Sequence, residues 1–272
     1  MIRSALMTVM TQAAIKAGRG LKRDFGEVSE LQVSMKGPGD FVSLADNRAE
    51  KTLYAELAKA RPGYGFVMEE GGEIKGKDEA HRFIIDPLDG TTNFLHGLPH
   101  WAISIALERE GKLIAGLVLD PIKDELFWAE KGLGAYVNDR RLRVSARRDL
   151  PDSLIATGIP FRGHGDHVKY VRTLSPVMNA TSGVRRWGVA SLDLAYVAAG
   201  RFDGFWEFGL KPWDVAAGVL LVREAGGYVT EIGGGENMLE SGSVLAANDQ
   251  LHGSIQKLLS PSEPWKRPRA QP

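Results

Sequence analysis

Phe83-Ile84-Ile85 is a continuous apolar run that stops abruptly on Asp86-Pro87-Leu88-Asp89-Gly90. Such a run, short and unbroken, predicts a buried strand emerging into a loop. Two carboxylates three positions apart at the mouth of a hydrophobic strand are costly to hold together unless something cationic sits between them. The rest of the chain supplies both helices and strands around this point. Helical spacing runs from the N-terminus through Ala13, Ala14, Ile15 and Ala17 to Leu21. A second helix is predicted from about 46 to 60, with Ala45, Ala49, Leu53 and Leu57 on one face and Arg61-Pro62-Gly63 as its stop. Apolar strands over 102–107 and 113–119 join across Glu110-Gly111, and 126–129 and 135–137 extend the antiparallel run to a turn at Asn138-Asp139. Beyond these, helices over 191–199 and 215–225 are closed by Gly200 and Gly226-Gly227, with strands over 228–232 and 244–247. Helices and strands mix without strict βαβ alternation, which predicts an α+β fold of layered helices and sheets.

Composition narrows the chemistry. The 272 residues carry 34 Lys+Arg against 34 Asp+Glu, so no global charge draws the chain to nucleic acid or anionic lipid. Cysteine is absent, which removes disulfides, thiolate metal sites and cysteine nucleophiles and suits a cytoplasmic protein. Any metal must therefore bind mostly through oxygen, with six histidines as the other candidates. No stretch approaches the ~20 apolar residues of a membrane helix.

The segment Asp86-Pro87-Leu88-Asp89-Gly90-Thr91-Thr92-Asn93-Phe94 reads in two ways. If a short helix starts after Gly90, its free N–H groups face an anion, and carboxylates beside them suit a hard divalent cation engaged in phosphoryl chemistry. Alternatively Asp86 caps a turn and Asp89 caps the helix. Glu69-Glu70 follows the apolar stretch Phe66-Val67-Met68 and by itself suits a solvated loop. Asp214, after Trp213, is placed as an N-cap of the helix that follows. Glu207, set among aromatics, needs a partner such as Arg201 or Lys211. His96, His100, His164 and His167 suit loops, Gly233-Gly234-Gly235 has no following Lys-Ser/Thr and is not a P-loop, and the arginines of 140–148 suit a solvated strand end.

Taken together, Glu69-Glu70, the Asp86–Phe94 segment and Trp213-Asp214-Val215-Ala216-Ala217-Gly218 resemble the inositol monophosphatase family of magnesium-dependent, lithium-sensitive sugar-phosphate phosphatases. Lys36 with Asp40, Gly188 and Glu207 also agree, so the resemblance covers the chain apart from its proline-rich tail. It implies an α+β, layered αβαβα sandwich and a homodimer. It also implies one catalytic unit over 1–259, two subdomains meeting near 145–150 with the site between them, and a flexible tail over 260–272. Glu69, Asp86 and the Leu88 carbonyl would hold a first magnesium ion, Asp86, Asp89 and Asp214 a second, and a weaker third would sit against Glu69. Gly90 and Thr91 would present backbone N–H groups to phosphate, Thr91 and Glu69 would orient and activate the attacking water, and Asp89 would also serve catalysis. Asp89, Gly188, Val189, Ala190, Glu207 and Asp214 would meet the polyol.

Two positions depart from the family's pattern. Met68 stands where glycine is common before the paired glutamates, and Val189, beside Trp187, stands where a small hydroxylic residue is frequent. The implied reaction is hydrolysis of a small polyol phosphate monoester, myo-inositol monophosphate first, by in-line attack of water. Rival substrates on the same scaffold are fructose 1,6-bisphosphate, histidinol phosphate and a 3′-phosphoadenosine nucleotide. A rival of another class is a regulatory protein that uses the fold to bind an RNA or transcription partner. Such a protein need not retain Glu69, Asp86, Asp89 and Asp214 together, as this chain does. No membrane or nucleic-acid partner is expected.

Overall fold

The computed structural model describes residues 3–27, 33–37, 40–161 and 163–260, with the backbone alone over 33–37 and 40–43. The proline-rich tail, Met1-Ile2 and the side chains of Lys36 and Asp40 lie outside that set. The first half contains α1 (Ala5–Gly26), β1 (Val33–Gly37), β2 (Asp40–Ser43), α2 (Leu44–Ala60), β3 (Tyr64–Met68), β4 (Gly72–Ile74), β5 (Asp78–Asp89) and the short α3 (Thr91–Leu95). Then come β6 (Ala102–Arg109), β7 (Lys112–Asp120), β8 (Glu125–Glu130), β9 (Gly134–Val137) and β10 (Arg140–Arg141). The second half contains β11 (Leu154–Thr157), α4 (His167–Ala180), β12 (Gly183–Arg185), α5 (Ala190–Ala198), β13 (Gly204–Glu207) and α6 (Pro212–Glu224). It ends with β14 (Tyr228–Thr230), α7 (Met238–Ser241), β15 (Val244–Ala247) and α8 (Asp249–Leu259).

Eight strands form one sheet in the order β10-β9-β8-β7-β6-β5-β3-β4, and five form another in the order β12-β11-β13-β15-β14. The alternation of β5 explains how these sheets stack, since successive side chains leave opposite faces of a strand. Phe83 and Ile85 join an outer core with Met10 and Leu21 of α1 and Leu53 and Leu57 of α2. Ile84 enters a central core with Leu194 of α5 and Ala216 and Val219 of α6. Phe205 and Ala246 of the second sheet close that central core from the far side. Ile155, Trp206 and Leu245, on the opposite face of the second sheet, pack with Tyr170 and Val177 of α4 and Leu251 and Ile255 of α8. The result is the expected layered α+β sandwich: helices, sheet, helices, sheet, helices. In the middle layer α5 and α6 approach so closely that a Cβ on Gly218 would lie 2.5 Å from Leu194 Cβ.

Local chemistry sets the element ends. Ser4 caps α1 by accepting from Met7 N at 3.0 Å. Glu110 and Gly111 both have positive φ, 52° and 74°, the pair needed by the two-residue turn of the β6–β7 hairpin. The α6 helix begins three residues before the expected 215, with Pro212 in its first turn. Neither α4 nor α8 was expected. Pro176 lies inside α4 and two glycines precede it, which obscures its period. The β5 strand runs for 12 residues, continuing past the apolar run to carry Asp86 and Asp89 themselves.

Candidate active site

The acidic end of β5 lies where the first sheet meets the N-terminal ends of α5 and α6. Asp86, 2% exposed, accepts from Leu88 N at 2.9 Å, so the tight-turn role read for it is real. Asp89 does not cap α3. Its Oδ2 accepts instead from Ser191 N, 102 residues away, at 2.7 Å, and the cap position of α3 is Gly90 at φ +95°. Alanine there would suffer from the positive φ, and its Cβ would meet Val189 Cγ2 at 2.8 Å. Asp214 is likewise not the N-cap. Lys211 holds that place through its backbone, and Asp214 sits three residues into α6, its carboxylate accepting from Lys211 N at 2.7 Å.

These carboxylates feel one another. Burial first, then Glu69, Asp89, Asp214 and Asp46, pushes Asp86 well above the ordinary carboxylate range. Burial, then Asp89, Glu69 and Glu207, raises Asp214 in the same way. Burial raises Asp89 to about 6, against the lowering effect of its hydrogen bonds to Ser191. The structure therefore brings the four expected acidic ligands into one electrostatic cluster. The tightest carboxylate trio is a different one. Oxygens of Asp46, Glu69 and Glu70 lie within 4.8 Å of one another. Glu69 is placed by its N–H donating to Ile85 O at 3.3 Å, and Glu70 by its N–H donating to Glu50 Oε2 at 2.8 Å, so the turn that carries these half-buried glutamates is anchored at its backbone.

Asp46, in the first turn of α2 and 1% exposed, was read from the sequence only as a helix start. In the structure the Thr91 hydroxyl lies 3.0 Å from Leu88 O and 3.3 Å from Asp46 Oδ2. Glu50, one turn on, is buried on the same face at 6% exposed, and an aspartate in a first helical turn carries no local sign of that burial.

The opposite wall is built from the second sheet. Glu207 ends β13, and its carboxylate fills the space over Gly158, where a Cβ would fall 1.8 Å from Oε1. Burial, with Asp89 adding to it, raises Glu207 to about 8, and the opposing cation is Arg186. Neither expected partner is the cation that acts on it: Arg201 pairs with Glu125, and the charges felt by Glu207 are those of Asp89 and Arg186. The Arg186 guanidinium lies against Gly188, whose φ of +75° turns the chain into Val189-Ala190. Val189 is fully buried against Gly90, and its carbonyl accepts from Asp193 N at 2.9 Å in the first turn of α5. Asp193, 1% exposed on α5, is raised by burial and then by Glu207 and Asp89.

Two of the remaining expectations are corrected: His167 opens a helix rather than sitting in a loop, and Arg147 pairs with a buried carboxylate rather than lying on a solvated strand end. His100 is pushed down to about 4 by burial and by Lys123 and stacks edge-on against Trp187, so it stays neutral. His164 stacks on Phe161, and His167 opens α4. Of the basic run, Arg147 pairs with buried Asp203 and Arg141 packs over Gly134.

Five layers around an acidic cluster whose donors are all oxygen make a site that could hold a hard cation, and comparison with known proteins gives the family. The profile of the inositol monophosphatase family matches residues 3–263, and the chain belongs to that family. It is 60% identical over 257 residues, 94% of this chain and 97% of the other, to an inositol-1-monophosphatase of Mesorhizobium japonicum. It is 44% identical, over 95% of this chain and 97% of the other, to the Nus factor SuhB of Pseudomonas aeruginosa. Among solved structures, the extragenic suppressor protein suhB of Bartonella henselae superimposes with TM-score 0.92 at 58% identity, covering 96% of this chain and all of that one.

Proposed function

We propose that the protein hydrolyses the phosphate monoester of a small polyol, myo-inositol monophosphate first, using two to three magnesium ions held by Glu69, Asp86, the Leu88 carbonyl, Asp89 and Asp214. One observation carries this reading. Asp86 is buried in a cluster where Glu69, Asp89, Asp214 and Asp46 all disfavour its charge. Such crowding suits a hard divalent cation, and the donors are oxygen throughout. Bound there, magnesium supplies Lewis-acid polarisation of water and charge neutralisation at the phosphoryl group.

The chain's own groups supply position and proton handling. The Thr91 hydroxyl has a single proton, which it gives to Leu88 O or to Asp46, and its remaining lone pair can accept from the attacking water. Glu69 takes the proton from that water, and the Gly90 and Thr91 amides face the phosphoryl oxygens. Asp89, Asp214, Glu207 and the Gly188-Val189-Ala190 turn receive the hydroxyls of the leaving alcohol. Lithium is expected to inhibit by competing for the same oxygens.

The decisive experiment is phosphate release from a panel of inositol, sugar and nucleotide phosphates with and without magnesium. Turnover of inositol 1-phosphate that depends on magnesium is expected. No magnesium-dependent turnover on any member of the panel refutes the proposal, whereas preference for fructose 1,6-bisphosphate, histidinol phosphate or a 3′-phosphonucleotide moves only the substrate.

A homodimer is proposed from Phe161, Val168, Val171 and Met178, apolar side chains between 41% and 62% exposed on and just before α4. Light scattering at micromolar concentration tests it. No helix among the described residues is long and apolar enough to cross a membrane, and a cytoplasmic setting is proposed with it. The Nus-factor name of one relative favours a second reading, a transcription partner role alongside catalysis. That role predicts association with transcription machinery that survives loss of turnover in Asp89→Asn.

A further inference from the structure

Asn93 is the third residue of α3 and is 8% exposed. Its Nδ2 group donates twice, to His100 O at 2.9 Å and to Trp187 O at 2.9 Å. The two carbonyls come from different halves of the chain. His100 ends the loop after α3, a loop that closes on itself through Leu98 N to Asn93 O and His100 N to Leu98 O, both 2.8 Å. Trp187 lies 94 residues beyond Asn93, in the connection from β12 to α5. The side-chain chemistry is demanding. Aspartate has no donor, serine has one, and glutamine has the two donors but carries them one methylene farther out.

This bond is one of two ties across the same seam. The other runs from Ser191 N to Asp89 Oδ2 at 2.7 Å. Between the tied positions 187 and 191 lie Gly188, Val189 and Ala190, and Val189 Cγ2 sits 2.8 Å from where a Cβ on Gly90 would be. The turn beginning at Gly90 and the turn over 188–190 are therefore pressed together and pinned at both ends. The pin at Asp89 uses a carboxylate from the acidic cluster. The pin at Asn93 is neutral, so it holds whatever charge the cluster carries.

From this geometry we infer that Asn93 is a positioning residue for substrate selection. It fixes the Gly188–Ala190 turn against Gly90-Thr91, so that a polyol attached to a phosphate held at one turn meets the other in register. The inference rests on the proposed function, which assigns phosphate to the first turn and polyol to the second.

The test uses the full-length, magnesium-loaded protein and the variants Asn93→Ala and Asn93→Asp, with two substrates and one physical readout. The substrates are inositol 1-phosphate and p-nitrophenyl phosphate, which has no ring hydroxyls. The KM for inositol 1-phosphate should rise about tenfold or more with kcat within about threefold, while kcat/KM for p-nitrophenyl phosphate stays within about twofold. Amide hydrogen exchange should quicken over 188–191 and stay unchanged in β6 and β7. An unchanged KM, or parallel loss on both substrates with faster exchange throughout, overturns the inference and leaves Asn93 as ordinary fold support. Should Asn93→Ala not fold, Asn93→Ser, which keeps one donor, should give a smaller KM rise, and equality with wild type overturns the inference. Absence of wild-type turnover on inositol 1-phosphate refutes the functional reading instead, and the exchange pattern then decides whether the pin exists.

Discussion

Gly158 offers a way to move Glu207 without touching any proposed metal ligand. Its φ lies outside the left-handed region, so alanine is not excluded by backbone strain. What excludes a methyl group is Glu207: the Cβ of Gly158→Ala would fall 1.8 Å from Oε1, 1.9 Å from Cδ and 2.2 Å from Oε2. Non-bonded carbon and oxygen need about 3 Å or more, so the carboxylate must retreat by more than about 1 Å. Misplacing a positioned group by that distance costs about 10²-fold in rate, or about 2.7 kcal/mol of transition-state stabilisation. The expected result is a fall of that size in kcat/KM for inositol 1-phosphate. Turnover of p-nitrophenyl phosphate should change by less than about threefold, and the magnesium concentration for half-activation should not change. The fold should survive, because Glu207 sits at a strand end and can swing outward. A folded Gly158→Ala protein with wild-type kcat/KM on inositol 1-phosphate would refute the reasoning, as would equal loss on both substrates.

Asp89→Asn should abolish turnover, by at least about 10³-fold, while leaving the metal-free thermal transition nearly intact, because the amide oxygen still accepts from Ser191 N. Retention of most activity would remove Asp89 from the metal set. Thr91→Ala should lower kcat by about 10²-fold or more and Thr91→Ser should restore most of it, since the hydroxyl between Leu88 O and Asp46 is what matters. Steady-state kinetics of both variants decide this. In metal-free protein Asp89 and Glu207 hold protons up to about 6 and about 8, against ordinary values of 3.8 and 4.5. The folded state thus binds more protons than the unfolded chain across that window, and stability falls as pH rises through it. Thermal midpoints with chelator should be lower at pH 8 than at pH 5.5, magnesium should recover the loss, and a flat or rising midpoint would contradict the assignment. Asp203→Ala, which strips the buried acceptor of Leu154 N at 2.7 Å and of Arg147 at 3.1 Å, should cost about 2–4 kcal/mol in chemical denaturation.

The sequence reading succeeds where a residue's role is decided by its neighbours in the chain. The apolar face Ala45, Ala49, Leu53 and Leu57 is buried as the helical period requires, and the Glu110-Gly111 turn follows from a local backbone rule. It falls short where the partner is remote. Ser191 N meeting Asp89, Arg186 facing Glu207, Asn93 reaching Trp187 O and Asp46 beside Thr91 are all tertiary facts. None has a local signature: an aspartate in a first helical turn is ordinary, and nothing beside Arg186 in the chain marks Glu207 as the charge it faces. The same limit explains the misplaced partners of Glu207, since Arg201 is near it in sequence but pairs with Glu125, while Arg186 faces it from another strand connection.

The three aspartates also dissolve the choice between cap and ligand that their sequence contexts pose. Asp86, Asp89 and Asp214 each give one oxygen to a backbone N–H, those of Leu88, Ser191 and Lys211. Each carboxylate has a second oxygen to offer a cation. The bond that would have sufficed for a structural role is what aims the other oxygen, and a carboxylate already held by the backbone loses little rotamer freedom on binding. It also bears on why the cluster persists at all. Burial and mutual repulsion raise all three carboxylates, which in a flexible loop would drive them apart. Here Asp86 and Asp89 belong to the end of β5 and Asp214 to the first turn of α6, both packed against the central core. Separating the charges would mean unpacking the central core, so the fold itself holds the repulsion in place, and a cation bound as proposed would relieve it.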